Sequence, residues 1–195
     1  MAQDNQTRIL EACSSCIAEN GVRGMRVQDV AKKAGVSSGL LYYHFTDREG
    51  LLAATLEYVN VTSLADHGTA ASSDARSYGV IRTLLLDEIR DDESVRAKSI
   101  VWNEIRAIAV FEPALAQHLS KSTEVWQDHI ATLLQSQADI TQARAHEIAL
   151  LLTALVEGLS GRWLSGLITT EEARSALGRG LDTVLPQEVF TTSSQ

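Results

Sequence analysis

The chain has 195 residues, 45% of them apolar, enough for one ordinary hydrophobic core or a small module joined to a larger domain. Its strongest apolar stretch, Ile148 to Leu159, is broken by Thr153 and Glu157. It falls short of the roughly 20 residues a membrane span needs, and Met1–Asn5 has no signal-peptide character, so a cytoplasmic globular protein is expected. The net charge of −8 argues against a nucleic-acid partner until its distribution is read: residues 1–50 hold six basic and six acidic residues, so the whole acidic excess lies beyond them.

Apolar residues recur at spacings of three and four throughout, and only Pro113 and Pro186 interrupt the chain, which predicts an all-α protein of about nine helices. The first helix is expected over about Thr7–Asn20, ending at Gly21. A short second helix covers Val27–Ala34 and stops at Gly35. Ser37 caps a third helix that ends near Phe45. Thr46-Asp47-Arg48-Glu49 has the form of a capping box opening a long fourth helix to about Ala65. Residues 66–74 are small and polar and predict a linker. Further helices are expected near 75–90, 94–111, 113–136, 141–167 and 170–185. Pro113 suits a first turn, Thr169 to Glu172 forms another capping box, and a frayed tail follows Pro186. Cys13 and Cys16 form a C-x-x-C, but they share a stripe with Ile9, Leu10 and Ile17 and no second pair exists, so both are assigned to the core.

Two short helices joined by Ala34-Gly35-Val36-Ser37 have the form of a helix-turn-helix. At about 100° per residue, turning Leu41 inward brings Phe45 beside it and sends Gly39 and Tyr43 to the opposite face, with Leu40 and Tyr42 flanking. A surface helix that shows glycine, leucine and two tyrosines to water needs something to pack there. Gly39 admits a backbone or base edge closely, Ser38 is placed for a base edge or phosphate, and Leu40 suits a thymine methyl. The donors of Tyr42, Tyr43, His44 and Arg48 suit phosphate oxygens.

Thr7-Arg8-Ile9-Leu10-Glu11-Ala12, Val27-Gln28-Asp29-Val30-Ala31, Ala34-Gly35-Val36-Ser37 and Leu41-Tyr42-Tyr43-His44-Phe45, with Glu49 and Leu51, together resemble the TetR family of transcriptional regulators over about residues 5–56. The resemblance implies a three-helix DNA-binding domain at 1–50 and a helical ligand-binding and dimerisation domain at 51–186, connected by the helix at 47–65, with a tail at 187–195. It implies that the Val27 helix positions the motif and the Ser37–His44 helix enters the major groove, with Arg26, Val27, Gln28 and Ser37 also among the residues that contact DNA. Many relatives carry Ser or Thr where this chain has Arg26, which here would offer a charge to phosphate.

In the acidic body, Ala154, Gly158, Gly161 and Ser165 form one helical seam, and two mid-helix glycines cost about 2 kcal/mol against alanine unless a close backbone approach needs them. With Trp163, and with Leu177, Leu181 and Val184 of the last helix, the seam is assigned to a homodimer interface, as the family resemblance also implies. The resemblance further implies a pocket for a small-molecule effector. Tyr78, Trp102, Asn103, Arg106, Phe111, Trp126 and His129 are its candidates, being aromatic or polar residues within otherwise apolar helices. His146-Glu147 lacks the second histidine of a zincin helix, and the acidic run 87–93 lacks the glycine turn and terminal glutamate of a calcium loop, so no metal and no cofactor are expected. No nucleophile–base pair or cofactor loop is present, and the chain is not expected to be an enzyme. The expected function is a repressor that binds a pseudo-palindromic operator in double-stranded DNA as a homodimer and leaves it when the effector binds.

Overall fold

The computed structural model describes residues 4–70 and 78–185, the side chains of 66–70 and 78 excepted. Among the described residues there are nine helices and no strand: α1 (Asn5–Gly24), α2 (Val27–Ala34), α3 (Ser38–His44), α4 (Arg48–Ala70), α5 (Tyr78–Asp87), α6 (Glu93–Ala109), α7 (Pro113–Gln137), α8 (Gln142–Leu164) and α9 (Thr170–Val184). None of these helices is long and apolar enough to cross a membrane. The all-α expectation therefore holds. The 66–74 linker does not hold in its first half, because α4 runs on to Ala70; residues 71–74, the predicted start of the fifth helix near 75 and the tail after Pro186 lie outside the described residues.

Packing divides the chain into two compact units. The first comprises the residues up to Ser63 together with Arg96–Ser122, and the second comprises Leu64–Val95 with the residues from Thr123 onward. Residues 51–63 and 96–122 thus pack with the helix-turn-helix, where a boundary at residue 50 would place them in the regulatory domain.

In the first unit, the three- and four-residue spacing of α1 buries Ile9, Leu10, Cys13, Cys16 and Ile17 against Val30, Leu41, Phe45, Leu52 and Leu56. The cysteines are core residues: burial pushes the Cys13 thiol up to about 12 and raises Cys16 as well, which leaves both unreactive. Asp4 caps α1 by accepting from the Gln6 N–H at 2.7 Å. At Gly21 the backbone leaves the helix with φ 67° and ψ 167°, a conformation that glycine adopts without steric cost. The second glycine stop, Gly35, takes the left-handed conformation at φ 66°, while the Arg8 guanidinium donates to the orphan Ala34 carbonyl at the end of α2. One cap differs from expectation. The fourth helix is capped by Asp47, whose Oδ1 accepts from the Gly50 N–H at 2.7 Å, and not by Thr46.

The second unit packs α5, the C-terminal part of α7, α8 and α9 around Leu85, Ile130, Leu134, Leu152, Leu177 and Leu181. Thr169 and Glu172 form the predicted capping box at the start of α9. The guanidinium of Arg174 donates to the Leu86 carbonyl and, at 2.8 Å, to that of Ile89, satisfying the orphan end of α5. Asp92, from the acidic run, accepts from the Val95 N–H at 3.0 Å, a helix-capping bond.

This core corrects part of the assigned dimer interface. Trp163 is buried within the chain and its indole N–H donates to Thr170 Oγ1 at 2.8 Å; Leu177 and Leu181 are completely enclosed, and Val184 packs against the same core. Apolar spacing shows that a face is covered but not whether the cover is the same chain or a partner. The glycine seam itself behaves differently. Ala154, Gly158 and Ser165 are exposed and Gly161 is half-buried, and exposed Leu150 and Leu151 extend their stripe. A Cβ placed at Gly158 would meet nothing within 4 Å.

Candidate nucleic-acid interface

The recognition geometry begins with α3. The Ser37 hydroxyl accepts from the Leu40 N–H at 3.1 Å, fixing the start of the helix, and the Phe45 N–H returns to the Leu41 carbonyl at 2.9 Å at its end. Seven residues are too few for a helix to persist alone, so tertiary anchorage must hold it. Leu41, completely buried, and Phe45 supply that anchorage. With those two turned inward, Ser38, Gly39, Tyr42 and Tyr43 face water, and Leu40 and His44 are half-buried beside them. Tyr43 is 82% exposed, Tyr42 48%. The rings of Tyr43 and His44 meet edge to face with centroids 5.4 Å apart, which orders the outer surface of the helix.

The other predicted contacts divide. Arg26, the residue preceding α2, is exposed and makes no side-chain capping bond, so its guanidinium is open to an anion. Gln28 is exposed beside it, whereas Val27 packs partly against the head's own core. The Ser37 oxygen is engaged as the helix cap. Arg48 is corrected: it is half-buried, and its Nη2 donates to the Val22 carbonyl at 2.6 Å, so it holds the protein's own backbone instead of reaching outward. Glu104 of α6 takes the other side of that residue, accepting from the Val22 N–H at 2.7 Å. Nothing in the sequence pairs positions 22 and 104.

The effector candidates fall in both units. Trp102, Asn103, Arg106 and Phe111 belong to the first unit, and Trp126 and His129 to the second. Trp102 is half-buried with the Arg106 guanidinium 5.8 Å from its ring centroid, and Asn103 donates to the Ser99 carbonyl at 2.9 Å. Phe111 is corrected: it stands 79% exposed in the turn between α6 and α7 and lines no interior. Trp126 is part of the second core, and burial lowers the pKa of His129, which favours its neutral form. The side chain of Tyr78 lies outside the described residues. His146 belongs to an exposed pair, its Nε2 3.0 Å from Asp128 Oδ1 and its Nδ1 2.9 Å from the Gln142 carbonyl.

Two short helices locked by a glycine turn, with the second turning hydroxyls and a bare glycine outward, define a helix-turn-helix DNA-binding protein. Comparison with known proteins specifies the class. Residues 9–55 match the family described as bacterial regulatory proteins, tetR family, and residues 79–186 match the BetI-type transcriptional repressor C-terminal family. The chain belongs to the TetR family of transcriptional regulators, which are not enzymes. A TetR-family transcriptional regulator of known crystal structure from Rhodococcus sp. is 43% identical, with a TM-score of 0.84 over 93% of this chain and 98% of that one. The HTH-type transcriptional regulator BetI of Burkholderia mallei is 26% identical over 173 residues, 88% of this chain and 86% of its own. A transcriptional regulator from Saccharomonospora viridis, crystallised with choline, shares the fold at 20% identity and a TM-score of 0.75, covering 91% of this chain and 95% of that one.

Proposed function

We propose that the chain is a repressor that binds a pseudo-palindromic operator as a homodimer through α3 and is released when a small molecule binds its C-terminal helices. The observation that carries this reading is the outward face of α3, where Tyr43 is 82% exposed on a helix anchored from behind by fully buried Leu41. Ser38, Gly39 and Leu40 are assigned to the base edges, and Arg26, Tyr42, Tyr43 and His44 to phosphate oxygens. Two half-sites one turn apart, about 34 Å, require two heads related by a two-fold axis. The exposed stripe Leu150, Leu151, Ala154 and Gly158 on α8 supplies an apolar face for a second copy. Repression follows the BetI-type repressor family that matches residues 79–186.

The S. viridis regulator holds choline, and a quaternary ammonium is a cation that aromatic faces attract. Trp102 already carries a cation on its ring, the Arg106 guanidinium, and choline is the first effector to test. Operator duplexes selected from a random library, followed by mobility shift at about 50 and 200 mM salt, give a complex that weakens steeply with salt. Light scattering gives the mass of two chains, and choline dissociates the complex. Failure to select any sequence, or a monomer in the complex, defeats the reading; release by other small molecules but not by choline changes the effector alone.

A further inference from the structure

We propose that Glu104 is a positioning residue for the reading head, acting with Arg48 through the backbone of Val22. Both polar groups of this one residue are held by side chains distant in sequence. Glu104 Oε2 accepts from its N–H at 2.7 Å, and Arg48 Nη2 donates to its C=O at 2.6 Å. Val22 is completely buried, so these groups have no water to fall back on, and each bond involves an ionised partner that strengthens it.

The clamp sits where the chain turns toward the helix-turn-helix. Gly21 leaves α1 at φ 67°, Met25 donates back to the Gly21 carbonyl at 3.1 Å, and α2 starts at Val27. The fit at Gly21 is close: a Cβ there would lie 2.8 Å from Glu104 Oε2. Glycine at this position therefore serves the carboxylate as well as the turn. Glu104 lies within the stretch matched by the C-terminal family, residues 79–186, yet it packs in the unit that contains α1 to α3. Operator affinity accordingly depends on where α6 holds its carboxylate, and a shift of α6 that withdraws it frees the turn that aims α2 and α3.

The sign of the effect separates positioning from electrostatics. Removing a negative charge from a DNA-binding head strengthens its attraction to phosphate if charge is all that matters. Withdrawing the clamp weakens specific binding. Glu104→Ala is therefore expected to weaken operator binding by about tenfold, in line with the loss of one charged hydrogen bond. The dependence on salt stays unchanged, because Glu104 touches no phosphate. Glu104→Gln keeps a carbonyl oxygen for the Val22 N–H and recovers most of the affinity.

The measurement is fluorescence anisotropy of the full chain on its selected operator across a salt series, with hydrogen exchange at the Val22 amide in wild type and both variants. Supporting results are weaker binding by the alanine variant, near-normal binding by the glutamine variant, and faster exchange at Val22 in the alanine variant alone. Where the alanine variant does not fold, exchange in the wild type and in Glu104→Gln decides: an unprotected Val22 amide in the folded wild type overturns the proposal. Equal or tighter operator binding by a folded Glu104→Ala overturns it too, as does a glutamine variant as weak as the alanine one.

Discussion

Substituting Leu41 and Tyr43 by alanine, two residues apart on α3, separates what holds the reading helix from what it reads. Leu41 is completely enclosed by the core of the first unit, so Leu41→Ala loses the full transfer energy of its side chain and leaves a cavity, about 2–5 kcal/mol. Tyr43 is 82% exposed and contributes almost nothing to folding, so Tyr43→Ala changes stability by no more than about 0.5 kcal/mol. On DNA the order reverses. A tyrosine hydroxyl donating to an ionised phosphate is worth about 1.5–3 kcal/mol, or about ten- to a hundredfold in affinity for each head that loses it. Urea unfolding followed by circular dichroism measures the first quantity, and anisotropy titration of the selected operator at a temperature where both variants are folded measures the second. A Tyr43→Ala protein that unfolds as readily as Leu41→Ala, or that binds the operator as wild type does, refutes the assignment of inside and outside.

Tyr42→Phe is expected to weaken binding to all duplexes by a similar factor, whereas Ser38→Ala shifts base preference within the half-site; repeated selection from a random library distinguishes them, and equal losses on every sequence from both variants contradict the division. Leu151→Glu places a charge in the exposed α8 stripe and is expected to convert a dimer to monomers by light scattering without lowering the melting temperature of the second unit. Trp163→Ala, buried and bonded to Thr170, instead costs about 3–5 kcal/mol of stability, measured by the same urea unfolding. The Gln142 carbonyl and the Asp128 carboxylate raise the His146 pKa above its usual 6.5, so its contribution to stability is complete below that value and is lost as pH rises through the folded midpoint. Proton NMR titration shows this midpoint, and Asp128→Asn lowers it only in part, because the bond to the Gln142 carbonyl remains.

The reading helix was legible in the sequence because its information is local. Helical periodicity alone sends Leu41 and Phe45 inward and Gly39 and Tyr43 outward, and Ser37 announces its own cap. The start of α4 shows how far local information reaches: Thr46 and Asp47 both carry a capping oxygen, and only the backbone path selects Asp47. The apolar faces of α8 and α9 were visible as faces, but burial of Trp163, Leu177 and Leu181 within the chain depends on which helices meet. Gly180 follows the same rule, because the Leu155 side chain of α8 rests where its Cβ would be. The clamp on Val22 was not legible. Arg48 reads as a donor to phosphate and Glu104 carries no local signal until folding brings positions 22, 48 and 104 together.

In the proposed homodimer the exposed face of α3 reads DNA in two equivalent half-sites. Hydroxyl-radical footprinting of the full chain on its selected operator, run in parallel with Tyr43→Ala, tests it most directly. Two protected half-sites about 34 Å apart, related by a two-fold and lost in the variant, are the expected result. A single protected patch, or protection that persists unchanged in Tyr43→Ala, contradicts it.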